Sequence, residues 1–297
     1  MTTGEASQGG RGAQQGAEGG GNVLGFIPRG VLTSGATLAG IALAAIAFSF
    51  VVGFWTSTRG VIGPLASDAE RPALAAITTI FAFAISTAIA CAVARVVNSV
   101  VGLFVLGCGV GLLAMRGSTS ADLVFGGSSL LAGAIELVVW TALVAGASHA
   151  IFRIGGRLPD IPKTHEDDID SPTGPAARKS WIAGVAALLA AWIVAASVTK
   201  GQAIGAAVVG GFAAGAFGRF LAPRTTPVYL AAAPVAAFAA LWFYFAFALK
   251  GDFPTGWVEG ALPRLLLLMP VDIAAGALAG VSLGFGFARG FAPATDE

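Results

Sequence analysis

The 297 residues are 56% hydrophobic and 11% charged, with a formal net charge of +1 and a mean hydropathy of +0.82. Soluble domains carry about 25% charged residues, so this chain has too few polar groups to face water over its whole surface, and an ordinary soluble domain is excluded. The small net charge also excludes the basic patch or stripe that a nucleic-acid partner calls for. The expected surroundings are a lipid bilayer.

Residues 1–30 are rich in Gly, Gln, Ala and Glu and contain no apolar run, which reads as a disordered cytoplasmic tail. The next stretch is apolar, too long and too late in the chain for a secretory signal, so it is expected to stay as a membrane span. Crossing about 30 Å of hydrocarbon takes roughly 20 apolar helical residues, because lipid cannot satisfy backbone N–H and C=O groups. Eight segments meet that length: 31–55, 73–94, 96–115, 129–152, 180–199, 202–222, 228–249 and 265–288. The expected fold is therefore an all-α polytopic membrane bundle of about eight transmembrane helices.

Four spans over 31–152 and four over 180–290 flank a linker, 153–179, and a short tail, 291–297, ends the chain. Four prolines and an acidic run in the linker read as a flexible cytoplasmic connection. His165, Glu166, Asp167, Asp168 and Asp170 superficially resemble a metal site. Consecutive acids without a scaffold are better read as solvated charge, so no metal is expected. With a cytoplasmic N-terminus, eleven of the 17 basic residues fall on the inside and six on the outside. The positive-inside rule then gives a multi-pass protein of the cell (inner) membrane with both termini cytoplasmic.

Trp55, Trp181 and the aromatic run around Trp242 read as interfacial anchors. Cys91 and Cys108 lie at different depths and read as small buried hydrophobes. Arg219, within a turn of a helix end, is expected to snorkel to the interface. The string Gly280-Val281-Ser282-Leu283-Gly284 matches G-x-S-x-G by letters alone, because the nucleophile elbow needs a strand-to-helix turn. His149, the other residue such a hydrolase would need, reads as packed or interfacial. No H-E-x-x-H, Walker loop or paired C-x-x-C occurs. The sequence thus implies no cofactor and no catalytic residue, and an enzyme is not expected.

Small residues recur every four positions on two spans. Asp272, Gly276, Gly280 and Gly284 share one face of the eighth, and Ala207, Gly211, Gly215 and Arg219 one face of the sixth. Such spacing lets helix backbones approach closely, which drives association in lipid. Residues 100–116 and 208–224 also agree at eight of 17 positions after a shift of 108. That relation would pair two oppositely directed spans, as in an inverted-repeat transporter. A competing shift of 136 pairs Glu136 with Asp272, and the two shifts exclude each other as one simple repeat.

Glu136 and Asp272 are acids inside apolar spans, and a charge at the bilayer centre costs about 2.5–3.5 kcal/mol on insertion scales. They read either as a proton- or cation-binding pair or as protonated acids that fix helix packing. The leading expectation is a small-solute or ion carrier coupled to protons or cations through Glu136 and Asp272. The alternative is a non-transporting scaffold or assembly subunit that packs against another membrane protein or a second copy of itself.

Overall fold

A computed structural model describes residues 29–156, 158, 175–223, 225–249, 253–260 and 262–291. The helices in chain order are α1 (Arg29–Ser49), α2 (Pro72–Val96), α3 (Ser99–Arg116), α4 (Ser120–Phe125), α5 (Leu130–Gly155), α6 (Pro175–Arg178), α7 (Trp181–Val194), α8 (Lys200–Leu221), α9 (Pro227–Ala248), α10 (Phe253–Val258) and α11 (Pro270–Arg289). Among the described residues there is no β-strand, and seven of these helices are long and apolar enough to cross a membrane. The chain is an integral membrane protein with a polytopic helix bundle of seven to eight spans.

The local reasons for these boundaries lie in the sequence. Proline opens α2, α9 and α11, where its missing N–H costs no intrahelical bond. The Asn98 side chain accepts from Val101 N and caps α3. Gly156, at φ +84°, ends α5 in a conformation that L side chains rarely adopt.

Three boundaries differ from expectation, one being the eighth span, which begins at Pro270 and not at 265. The first span stops at Ser49, and a single 3-10 turn, Val52–Trp55, leads into the connection to α2. The segment 180–199 holds only 14 helical residues in α7, about 21 Å at 1.5 Å per residue. Residues 195–199 are non-helical and carry the chain on to α8.

The helix neighbours form an open arc, α1 beside α2, α2 beside α5, α5 beside α9, α9 beside α7 and α7 beside α8, whose two ends are bridged by α3. Inside it stand α3 and α11, packed on each other, and α8 makes the most extensive contact with α11. The membrane-length part of α11 is 83% buried against 17% for α1, so α11 is the axis and α1 a lipid-facing flank. Because α3 packs on α11 and α5 on α9, the halves either side of the linker share one core.

At one end of the bundle the connections touch each other and form a cap. Ser118 Oγ donates to Ile62 O, Ser128 Oγ to Asp68 Oδ2 (2.8 Å), and Phe125 meets Trp257 edge-on at 6.4 Å. Arg264 lies 5.9 Å over the Trp192 ring. The opposite end holds the α2–α3 corner, where Ser99 Oγ donates to Gly156 O (2.6 Å).

Candidate functional site

The closest packing in the molecule places its best-paired charges. A Cβ added at Gly276 would collide with Ala207, one at Gly280 with Val208 O, and one at Gly284 with Phe212 O. From the facing helix, Gly211 would meet Gly276 O, and Gly215 would meet Val281 O at 2.5 Å. A third helix closes in through Gly107 of α3, whose added Cβ would lie 2.5 Å from Ala279 N. The sequence pattern does not single out Gly107. With three backbones this near, the starts of α8 and α11 are held against the end of α3.

Asp272 and Lys200 meet there. Asp272 Oδ1 lies 2.8 Å from Lys200 Nζ, and Oδ2 accepts from the same nitrogen at 3.1 Å. Lys200 Nζ also donates to Ser118 O at 2.8 Å. Oδ2 further accepts from Met269 N at 3.0 Å, so the carboxylate caps its own helix. Asp272 is the third residue of α11, and Pro270 is the first. Pro270 thus starts the helix and does not kink a span that runs through it, as its place six residues into the expected span 265–288 would suggest. The Asp272 side chain is 0% exposed and that of Lys200 14%.

Helix dipoles sharpen the pairing. An anion at a helix N-terminus is favoured and a cation there disfavoured. Asp272 begins α11 and gains. Lys200 begins α8 and is placed against the local field, so its position depends on Asp272 and the Ser118 carbonyl. Lys200 is the principal residue that sequence reasoning missed.

Just before Lys200 runs the non-helical stretch 195–199. Gln202 Nε2 donates to Val194 O at 3.1 Å, occupying a carbonyl that the end of α7 leaves free, and its Oε1 accepts from Ser197 Oγ. Ala195 is buried at the end of α7, while Ala196, Val198 and Thr199 are exposed, as in a connection at the end of the bundle.

Glu136 keeps different company from Asp272. It lies in the second turn of α5, where Oε2 accepts from Ala66 N (2.9 Å) and Oε1 from Trp140 Nε1 (3.3 Å). It thereby pins the 3-10 turn Ala66–Asp68 of the cap onto the span. Beside it opens a pocket of about 380 Å³ lined by Trp55, Pro72, Thr79, Glu136, Val139 and Trp140, among others. Asp68, at the far end of that turn, has its carboxyl pushed up by burial. Hydrogen bonds from Ser128 and Leu65 and the charge of Arg59 oppose that rise.

Several expectations change on these contacts. Trp55 is fully buried and donates to Thr79 Oγ1 (2.9 Å), and Trp242 is fully buried too, so neither is an interfacial anchor. Trp181 is 65% exposed. Arg219 does not snorkel: it is 7% exposed and donates to Pro223 O at 2.7 Å, closing the far end of α8. Ser282 is buried and donates to Ala279 O of its own helix, while His149 is exposed on α5, so no serine–histidine pair forms. Cys91 and Cys108 are free thiols, the first buried and the second half-buried. The acidic run 165–170 lies outside the described residues. Comparison with protein-family models, with curated proteins and with solved structures finds no match in any of the three.

Proposed function

We propose that this protein is a carrier of a small solute or ion, coupled to protons or cations through Asp272 and Lys200, with Glu136 as a second acid. The observation that supports it is a fully buried carboxylate paired to a lysine where three helices converge. Ionisable groups inside membrane bundles are costly and mark ion or proton paths. A proton or cation arriving at Asp272 neutralises it and leaves Lys200 on the Ser118 carbonyl, against the dipole of α8. Occupancy of one carboxylate thus bears on the spacing of α3, α8 and α11. The non-helical connection 195–199 joins the hairpin of α7 and α8 directly before Lys200, so a shift of Lys200 acts at the α7–α8 connection.

The bias of basic residues puts the cap outside the cell membrane and both termini in the cytoplasm. The test is proton flux into proteoliposomes driven by candidate solutes. Replacing Asp272→Asn together with Glu136→Gln is expected to abolish it; unchanged flux would end the coupling idea.

A second reading, a scaffold subunit, draws on the lipid side of α1. There a groove of about 620 Å³ runs between α1 and α2, lined by Leu43, Ile46, Phe50, Phe54, Ile77 and Phe81, among others. It suits an apolar helix of a membrane-protein partner or of a second copy. Stoichiometric co-purification in mild detergent, with no solute-dependent stabilisation, would favour this reading over the carrier.

A further inference from the structure

We infer that the pocket beside Glu136 binds a lipophilic amine, an ammonium-headed organic molecule that enters sideways from the lipid. The inference deepens the carrier reading by naming a ligand class. Binding itself does not depend on that reading; only the transport of the bound amine does.

The charge balance of Glu136 carries the argument. Both of its hydrogen-bond partners, Ala66 N and Trp140 Nε1, are donors, so the site presents the carboxyl as an acceptor. A carboxylate offers about four acceptor positions, and two are used. Among the described residues no Lys, Arg or His forms an ion pair with it, in contrast to Asp272. Asp68 adds a second acid to its electrostatic surroundings, and Arg59 acts on Asp68. The span therefore holds a carboxyl with open acceptor positions and, among the described residues, no basic side chain of its own to fill them.

The pocket supplies the room and the walls. Its volume of about 380 Å³ suits a small organic molecule. Trp55 and Trp140 line it with their rings fixed, Trp55 by its bond to Thr79 and Trp140 by edge-on contact with Phe83 at 5.8 Å. Indole faces attract desolvated cations. Ile80, Ile135 and Val139 line the pocket and are exposed on the outside of the bundle, which sets the mouth between α2 and α5 on the lipid side. A neutral apolar guest would leave the open acceptor positions of Glu136 unused. An anionic or phosphate-headed lipid would meet two acids. An amine with an apolar body satisfies both the charge and the walls.

Titration calorimetry of the full-length protein in maltoside detergent tests this, with 4-phenylbutylamine as probe and 4-phenylbutanol as its neutral counterpart. Saturable binding of the amine is expected, about tenfold or more tighter than the alcohol, as a charge-assisted hydrogen bond implies. Glu136→Gln keeps an acceptor for Ala66 N and is expected to erase that preference. Ala132→Phe fills the pocket and is expected to weaken amine binding with Glu136 intact. Equal affinity for amine and alcohol, no saturable amine binding, or a preference that survives in Glu136→Gln would each overturn the inference. Should that variant lose its monodisperse elution, the wild-type amine-to-alcohol ratio still decides. Binding is read without a gradient, so a failed flux assay leaves this result standing, and absent amine binding beside intact proton flux would sink this inference alone.

Discussion

Lys200 is the residue whose removal leaves the most expensive orphan. Changing it to Met strands a fully buried Asp272, and breaking a buried ion pair from one side costs about 3–5 kcal/mol. Lys200→Met should therefore lower the unfolding temperature in detergent sharply, while adding Asp272→Asn to it should recover much of the loss. Additive losses in that double-mutant cycle would show that the two charges do not interact. Asp68 gives the opposite sign of argument. Its carboxyl is raised by burial, so the stability it contributes is full below its unfolded-state pKa and falls as pH rises through the folded one. Asp68→Asn keeps an acceptor for Ser128 and cannot ionise, so its unfolding temperature should match wild type near pH 4 and exceed it near pH 8. A gap that widens towards acid would refute this. Neither Lys200 nor the true setting of Asp272 was legible in the sequence. The two lie 72 positions apart, and only the helix directions bring them to one end. Residues 265–269 are as apolar as the helix they precede, so hydropathy could not see that Pro270 starts α11 and places Asp272 in a capping position. Glu136 was legible as an anomalous acid, but its contact with Ala66 spans 70 positions and leaves no local mark.

Helix faces were far easier to read than helix ends. Small residues at i+4 spacing are a direct record of how near two backbones come, and α8 and α11 carry that record on their facing sides. Overpacking costs roughly 1–3 kcal/mol where neighbours can give way. At Gly280 the obstacle is the Val208 carbonyl and the Phe212 amide, which cannot turn aside as a side chain does. Gly280→Val should therefore cost at least that much or yield no monodisperse protein, whereas Gly146→Ala on α5, with nothing within 4 Å, should elute and melt like wild type. A well-behaved Gly280→Val would mean the helices are not this close. The end of α7 was invisible by contrast, because residues 195–199 contain neither Gly nor Pro and are as apolar as a span. The carbonyl that the helix end leaves open is taken by the Gln202 amide from the start of the next helix. Gln202→Ala should destabilise by about 0.5–1.5 kcal/mol, the net worth of an ordinary part-buried hydrogen bond, read as a drop in unfolding temperature. The internal likeness at a shift of 108 also takes on a physical form. It equates Gly102 with Gly210 and Gly107 with Gly215. The first pair abut carbonyls of the preceding helix, Ala90 O and Ala187 O, and the second pair abut the backbone of α11 from two sides. The rival shift of 136 equates acids in unlike settings, one in a second helical turn and one capping a first.

At the scale of the whole molecule the two ends differ in kind. One is a cap in which four connections bond to each other, and it holds Lys200, Asp272, Glu136 and the pocket close beneath it. That asymmetry makes the orientation in the membrane a statement about where a ligand or ion first meets the protein. The proposed sign rests on the eleven-to-six division of basic residues, and the fold supplies reporters that test it. Glu70 and Glu259 are exposed at the cap, and Arg95 is exposed at the other end of α2. Cys91 and Cys108 are the only native thiols, and replacing both with Ala gives a background free of sulfhydryls. Single cysteines at Glu70 and Glu259 should then react with a membrane-impermeant maleimide in intact cells, and one at Arg95 only in inside-out vesicles. If the two cap positions label from opposite sides, the cap is not one surface and the span count is wrong. If both label only from inside, the bundle stands but is inverted, and an amine from the outer leaflet would meet the end of α5 remote from Glu136.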